Sequence, residues 1–264
     1  MNQRQSSPVR RPALTYFGGK WRLAPWIISH FPPHEIYVEP FGGGGSVLLR
    51  KSPSRVEIYN DLNTELVDFF RVLRHPSQSS RLFRLLKRTP YARDELRAAY
   101  GLTDDPVERA RRLAVRSFQA FHPRAIFGDP APFDCRISHN EAMSWANYVR
   151  ALPRIIDRLR NVIIENRPAL SIIAAHDSPQ SLIYVDPPYP LSTRTSAQKY
   201  PCEMSDSDHD SLLDALCSVK GRVVISGYDH PLYRDRLSGW VRAEHAARVS
   251  NSGSLRTEVL WCSP

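Results

Sequence analysis

The chain has 264 residues, 42% hydrophobic and 24% charged, a composition that can bury a core and excludes disorder throughout. Thirty-six Lys and Arg against 27 Asp and Glu leave a net charge of +9, so the expected partner is an anion: nucleic acid, a phosphorylated substrate or an acidic membrane surface. No apolar run approaches the roughly 18 residues that a membrane helix needs, and Met1 to Pro12 is polar and basic, so no membrane association and a cytoplasmic location are expected.

In chain order, the apolar run Ile36-Tyr37-Val38 predicts a strand that enters Glu39-Pro40-Phe41 and then four glycines, Gly42 to Gly45. A helix starts at Ser46 to Leu49, and Val56 to Tyr59 predicts a second strand ending at Asn60-Asp61. Leu62, Leu66, Phe69, Phe70 and Leu73 then recur at helical spacing. The alternation resumes with strand Val162 to Ile164, helix Ala169 to Ala175, strand Leu182 to Val185, helix Leu212 to Val219 and strand Val223 to Ser226, which together predict one parallel sheet. Val241 to Val249 and Leu255 to Trp261, joined by Asn251-Ser252-Gly253, predict an antiparallel hairpin at its edge.

Between these halves lie residues 75–160, too many for a loop and rich in Arg, Leu and Ala, which predict an inserted, mainly helical subdomain. Residues 75–160 carry a net +7, residues 1–11 carry +3, and the remainder carries −1. The expected organisation is therefore a basic flexible tail (1–11), a catalytic domain built from 12–74 and 161–264, and an inserted recognition domain (75–160). Cys135, Cys202, Cys217 and Cys262 show no Cys-x-x-Cys pairing and the nine histidines show no ligand arrangement, so reduced, buried thiols and no metal site are expected.

The Gly42 to Gly45 loop follows a strand and opens a helix, where an adenosine-bearing cofactor can approach the backbone closely. A dinucleotide fingerprint would need glycine where Val47 stands. A P-loop would need Ser or Thr after Gly19-Lys20, where Trp21 stands. Asp61, at the end of the second strand, suits either ribose hydroxyls or the cap of the following helix.

Asp186-Pro187-Pro188-Tyr189 projects from the strand Leu182 to Val185, and its two prolines hold it as a rigid extended loop. An exocyclic amine of a nucleobase is a poor nucleophile because its lone pair is delocalised into the ring. A carboxylate (Asp186) and a main-chain carbonyl (Pro187) can accept its two N–H bonds and aim the lone pair at a methyl group, while Tyr189 can stack on the base. The base is inaccessible within a duplex, so such a pocket receives a flipped nucleotide.

At these residues the chain resembles the Dam-type DNA adenine methyltransferases, over most of residues 13–264 and especially the shorter, phage-associated members. Tyr16-Phe17-Gly18-Gly19-Lys20 looks like the family's N-terminal cofactor motif, Glu39-Pro40-Phe41-Gly42-Gly43-Gly44 its glycine loop, Asn60-Asp61 its ribose site and Asp186-Pro187-Pro188-Tyr189 its catalytic tetrad. The resemblance implies a Rossmann-like α/β fold, mostly parallel with an antiparallel C-terminal edge, plus a helical DNA-recognition insert. It also implies S-adenosylmethionine as cofactor, held by Tyr16, Phe17, Lys20, Glu39, Pro40, Phe41, Gly42, Gly44, Asp61 and Asp186. Double-stranded DNA is the implied partner, no metal is needed, and the expected state is a monomer in a bacterial or phage-infected cell.

The family's recognition hairpin looks shortened or replaced, since Phe121-His122-Pro123-Arg124 and Phe127-Gly128-Asp129-Pro130-Ala131-Pro132 stand in its region. A relaxed or short target site follows as an expectation. A fourth glycine, Gly45, where a small residue often stands, reads as a mild change. Arg111, Arg112, Arg116, Arg124 and Arg136 are candidates for phosphate or guanine contacts, against the alternative of a solvated helix face. Methylation of the cytosine 4-amino group, RNA adenine or a protein glutamine, and non-catalytic DNA binding, are the competing readings.

Overall fold

The structure is a computed structural model that describes residues 9–193, 202–248 and 255–264. Most of the basic tail and the turn Asn251-Ser252-Gly253 lie outside the described residues.

From the N-terminus the elements are α1 (Ala24–Ser29), β1 (Ile36–Glu39), α2 (Ser46–Arg50), β2 (Val56–Asn60), α3 (Thr64–Arg74), α4 (Pro76–Arg88), α5 (Arg93–Ala98), α6 (Pro106–Gln119) and α7 (Glu141–Leu159). There follow β3 (Val162–Glu165), α8 (Ala169–Ala175), β4 (Ser181–Val185), α9 (Asp206–Ser218), β5 (Arg222–Gly227), α10 (Pro231–Arg236), β6 (Val241–Arg248) and β7 (Leu255–Cys262). The helix starts follow from their caps. Asn63 accepts from the Glu65 and Leu66 amides ahead of α3, and Asp105 accepts from Val107 N–H with Pro106 opening α6. A reciprocal Ser205–Asp208 capping box starts α9 well before its apolar spacing begins at Leu212.

The seven strands found among the described residues form one sheet of order β3-β2-β1-β4-β5-β7-β6. β1 runs parallel to β2 and β4, and β4 parallel to β5. β7 is antiparallel to β5 and to β6, in the register Ala243↔Leu260 and His245↔Glu258, so the expected antiparallel edge is present. The strand order reverses between β1 and β4. In open α/β sheets that reversal leaves a crevice beyond the strands' carboxyl ends, where ligands bind.

The chain divides into two compact units. A helical unit takes the described part of Met1–Pro25 with Gly43–Lys51 and Asn63–Ile164, and a sheet unit takes Trp26–Gly42, Ser52–Leu62 and Glu165–Pro264. The core of the sheet unit joins Val38, Ile58, Ile183 and Val185 to Leu212, Leu213 and Trp261. In the helical unit α3 packs against α4, α6 and α7, burying Phe69, Phe70, Leu82, Leu113, Tyr148 and Leu152.

Residues 75–160 are mainly helical, as their composition predicts. Where the recognition hairpin was expected to be shortened, an isolated antiparallel bridge Ala120↔Phe133 closes a loop holding the 3-10 helix Pro123–Phe127. One expectation fails: all four cysteines are free, but Cys135, Cys202 and Cys217 are exposed and Cys262 is only partly buried. Their positions on loops, on a helix and at the end of β7, rather than their weak polarity, set their burial.

Candidate active site

In the sheet unit the carboxyl ends of adjacent strands bring acidic groups to one edge. Glu39 ends β1, Asn60-Asp61 ends β2 and Asp186 follows β4. Glu39 is buried and accepts a hydrogen bond from Tyr37 Oη at 2.9 Å. Burial, with Glu39 beside it, pushes the Tyr37 phenol well above its ordinary range, so that phenol stays a donor.

Asn60, fully buried, ties the edge together. Its amide nitrogen donates to Pro40 O (2.8 Å) and Arg167 O (3.0 Å), and its side-chain oxygen accepts from Arg167 N–H (2.9 Å). The Gly42 amide donates to Asn60 O at 2.7 Å. A Cβ on Gly42 would lie 2.2 Å from the Tyr59 ring, so this position excludes a side chain for a packing reason.

The N-cap of the following helix is Asn63, which accepts from the Glu65 and Leu66 amides, rather than Asp61. The Asp61 backbone carbonyl accepts from Asn166 Nδ2 at 2.7 Å, and Asp61 itself stays partly exposed.

After β4 the tetrad has no regular secondary structure, and its two prolines each fix a φ angle. Asp186 Oδ1 accepts from Ser226 Oγ (2.9 Å) and lies 3.1 Å from Tyr189 Oη. Ser226 also meets Tyr184 Oη at 2.9 Å. The Tyr189 hydroxyl bonds Glu258 on β7 as well, and its ring stands edge-on to Tyr228 at 4.7 Å. Burial, then Asp186 and Glu258, push the Tyr189 phenol well above its ordinary range, so it remains protonated at any physiological pH. Ser226 and Glu258 were not singled out as functional in the sequence. Both lie in segments, Ser226-Gly227-Tyr228 and Thr257-Glu258-Val259-Leu260-Trp261, that look like the sheet edge of the family the motifs resemble and to which the sequence assigns no chemistry. Among the described residues no group of three or more His, Cys, Asp or Glu could hold a metal.

The helical unit holds the other motif residues. Gly19 N–H closes a turn onto Tyr16 O at 3.0 Å, and Lys20 is buried with Nζ 3.3 Å from Gly18 O. Tyr16 packs edge-on to Phe127, and a Cβ on Gly44 would lie 3.0 Å from Tyr16 Cβ. Gly45 is the residue before α2 and has φ of +63°, a left-handed conformation that a side chain disfavours. The fourth glycine is therefore required rather than a mild change.

The five candidate arginines all have acidic partners. Arg111 bonds Glu95 and Glu108, and Arg112 bonds Glu108, each pair at 2.8 Å. Arg116, 7% exposed, bonds Glu65 and the Ala99 carbonyl. Arg124 pairs with Asp129 at 2.6 Å. Arg136, 49% exposed, pairs with Asp134 at 2.7 Å and lies over the exposed ring of Phe121.

Residues 16–116 match the family model for D12 class N6 adenine-specific DNA methyltransferases. Curated relatives named DNA adenine methylase match over most of their length: from Salmonella typhi at 26% identity (94% of this chain, 92% of the relative), from Vibrio cholerae serotype O1 at 24% (95% and 94%), and from Escherichia coli K12 at 25% (94% and 92%). Beside four motifs in order and a mostly parallel sheet with an antiparallel edge, these matches make the chain similar to the D12 class N6 adenine-specific DNA methyltransferases.

Proposed function

We propose that the chain transfers a methyl group from S-adenosylmethionine to the 6-amino group of adenine in double-stranded DNA. The observation that carries this reading is the Asp186 carboxylate at the sheet's reversal point, oriented by Ser226 and Tyr189 at the mouth of a rigid proline loop. Its support from outside the site is the family match and the shared name of the relatives.

The residues fit the cofactor. Glu39 and Asp61 end neighbouring strands, offering acceptors for an amino group and for ribose hydroxyls, and neither glycine motif has the sequence of a phosphate cradle. We assign Glu39, Pro40, Phe41, Gly42, Asp61 and Asp186, together with Tyr16, Phe17, Lys20 and Gly44, to cofactor binding. When bound, S-adenosylmethionine supplies a methyl group activated by a sulfonium charge.

The chain's part is orientation and proton acceptance. Asp186 and the Pro187 carbonyl accept the two N–H bonds of the amine, which localises its lone pair for attack, and Pro188 keeps the loop extended. Positive charge that develops on the amine is met by the Asp186 carboxylate, and the surplus proton leaves the amine by that oxygen. Tyr189 borders the base, which reaches the loop only after leaving the duplex stack.

We assign duplex contact to residues 75–160, first to Arg136 and Arg124, whose partners lie in the same loop region. Arg111, Arg112 and Arg116 are held by Glu108 of their own helix and by Glu95 and Glu65 of neighbouring helices, and build the frame of the insert. Among the described residues no helix is long and apolar enough to cross a membrane, and a cytoplasmic monomer is the working picture. The test is transfer of labelled methyl to adenine-containing duplex. Asp186→Ala that stays folded should abolish transfer, and full activity in that variant would refute the mechanism. Sequencing of DNA from expressing cells would read the target; a single long motif modified to completion would exclude a relaxed or short site.

A further inference from the structure

We infer that the helical unit carries a second binding site, an arginine-lined cleft that takes a phosphate-bearing anion. The inference goes beyond the proposed methyl transfer and does not depend on it.

The cleft has a volume of about 600 Å³ and opens where the ends of α3 and α7 meet the starts of α4 and α6. That size suits a small ligand. Arg71, Arg74, Arg109 and Arg160 line it, and Asp68 is the one acidic residue among them. Asp68 is shared between two arginines, at 3.3 Å from Arg71 and 3.6 Å from Arg109, both longer than the roughly 2.7–2.9 Å of a tight charge-assisted bond. Arg74 donates to the Val162 carbonyl at 3.0 Å and meets no carboxylate among the described residues. Arg160 pairs at 2.7 Å with Asp157, which lies outside the lining.

Four guanidinium groups therefore stand against two carboxylates. Arg111 shows the opposite arrangement, one guanidinium held by two carboxylates at 2.8 Å each. Crowded like charge in a concave site raises the potential for an anion, and each guanidinium keeps N–H donors that its present partners do not use. Arg71 and Arg74, three positions apart, share a face of α3 and can present their planar forks to oxygens of one group. An excess of two positive charges matches a phosphate group better than a single carboxylate. α4 also opens at the cleft from His75, whose side chain makes no capping bond, so its first-turn amides add to the attraction. A sulfonium would be repelled here, so the cleft is not a second seat for the proposed cofactor. The phosphate can come from a free nucleotide or from a duplex backbone, and the test separates the two.

The test is titration calorimetry of the full chain with inorganic triphosphate at low salt, with a thermal melt of each variant. Arg74→Gln/Arg160→Gln keeps a donor at both positions and removes two charges, so triphosphate affinity should fall at least about tenfold. Arg55→Gln/Arg97→Gln removes the same charge from exposed arginines outside the cleft and should leave affinity within about twofold. A duplex of G·C pairs alone, which offers no adenine, is titrated in parallel. If a backbone supplies the phosphate, duplex affinity also falls in the cleft variant and its salt slope drops by about two. If a free nucleotide supplies it, the duplex is unaffected while the triphosphate loss persists. Should the cleft variant fail to fold, Arg160→Gln alone, 70% exposed, is compared with Arg55→Gln, with a loss of about threefold expected. A native chain that takes up no triphosphate, an affinity unchanged in the cleft variant, or equal losses in the two charge-matched variants overturns the inference. Methyl transfer is read separately, so a native chain inert towards adenine-containing duplex counts against the proposed function alone.

Discussion

The helical unit and the carboxyl edge of the sheet unit treat their carboxylates differently, although elsewhere in the sheet unit arginines pair with acids too. In the helical unit acids meet guanidinium groups: Glu108 bonds Arg111 and Arg112, Glu65 bonds Arg116, and Asp134 bonds Arg136. At the sheet edge they take hydroxyls, with Tyr37 on Glu39, Ser226 on Asp186 and Tyr189 on Glu258. A guanidinium cancels the charge it binds, whereas a hydroxyl fixes a carboxylate oxygen in space and leaves its charge in place. Pairs of the first kind serve stability. The second arrangement suits the proposed chemistry, in which a charged acceptor waits in a defined position.

The contrast breaks first at Asp186. Asp186→Asn keeps an acceptor for Ser226, so methyl transfer should fall on the order of a thousandfold while the melting temperature barely moves. An equal loss of stability would mean that the edge hydroxyls hold the fold together as the arginines do. Arg116→Met should do the opposite, lowering unfolding free energy by about 2 kcal/mol in a denaturant titration by removing bonds to Glu65 and Ala99 O. Its single-turnover rate, measured well below the melting point, should stay near native.

Gly45→Ala sits outside the contrast and calibrates it. With φ of +63° at this position, it should cost about 1 kcal/mol of stability, read by the same titration. Smaller again is the acid response. Hydrogen bonding from Arg111 holds Glu108 below the ordinary carboxylate range, and hydrogen bonding from Arg136 does so for Asp134. Because both folded-state values are depressed, their contribution is complete above the unfolded pKa of about 4 and is lost as pH falls through the lowered values. Stability measured against pH should therefore decline less steeply below about pH 4 in Glu108→Gln than in the native chain. Last, Arg136→Ala, which removes a half-exposed guanidinium, should lower the salt slope of duplex binding by about one.

The sequence carried the parallel strands and the tetrad clearly because both are local signals. Ile36 to Val38 and Leu182 to Val185 are short apolar runs that stop at an acid or a proline, and the structure ends β1 and β4 at those points. The short helices α1 and α10 escaped, having six residues each and no apolar period long enough to read. Glu258 was hidden for another reason. Which neighbours a charge on β7 meets depends on register, and the β5–β7 register is set by contacts between segments far apart in sequence. The arginines were ambiguous in the same way, since Glu65, the partner of Arg116, is 51 positions away. Asp61 and Asn63 are both capping residue types, and only the backbone decided between them.

The Asn60 amide gives the molecule a hinge point in evolution and in folding. Its bonds to Arg167 join positions 107 residues apart, across the whole excursion through the helices. Loop-closure entropy grows only logarithmically, so doubling that excursion would add about 0.6 kcal/mol to the cost of making the junction. The stretch between can lengthen, shorten or be exchanged while the far side of one asparagine still finds its partner. The same span predicts the order of assembly: helices that close over short distances form first, and the junction that completes the sheet forms late.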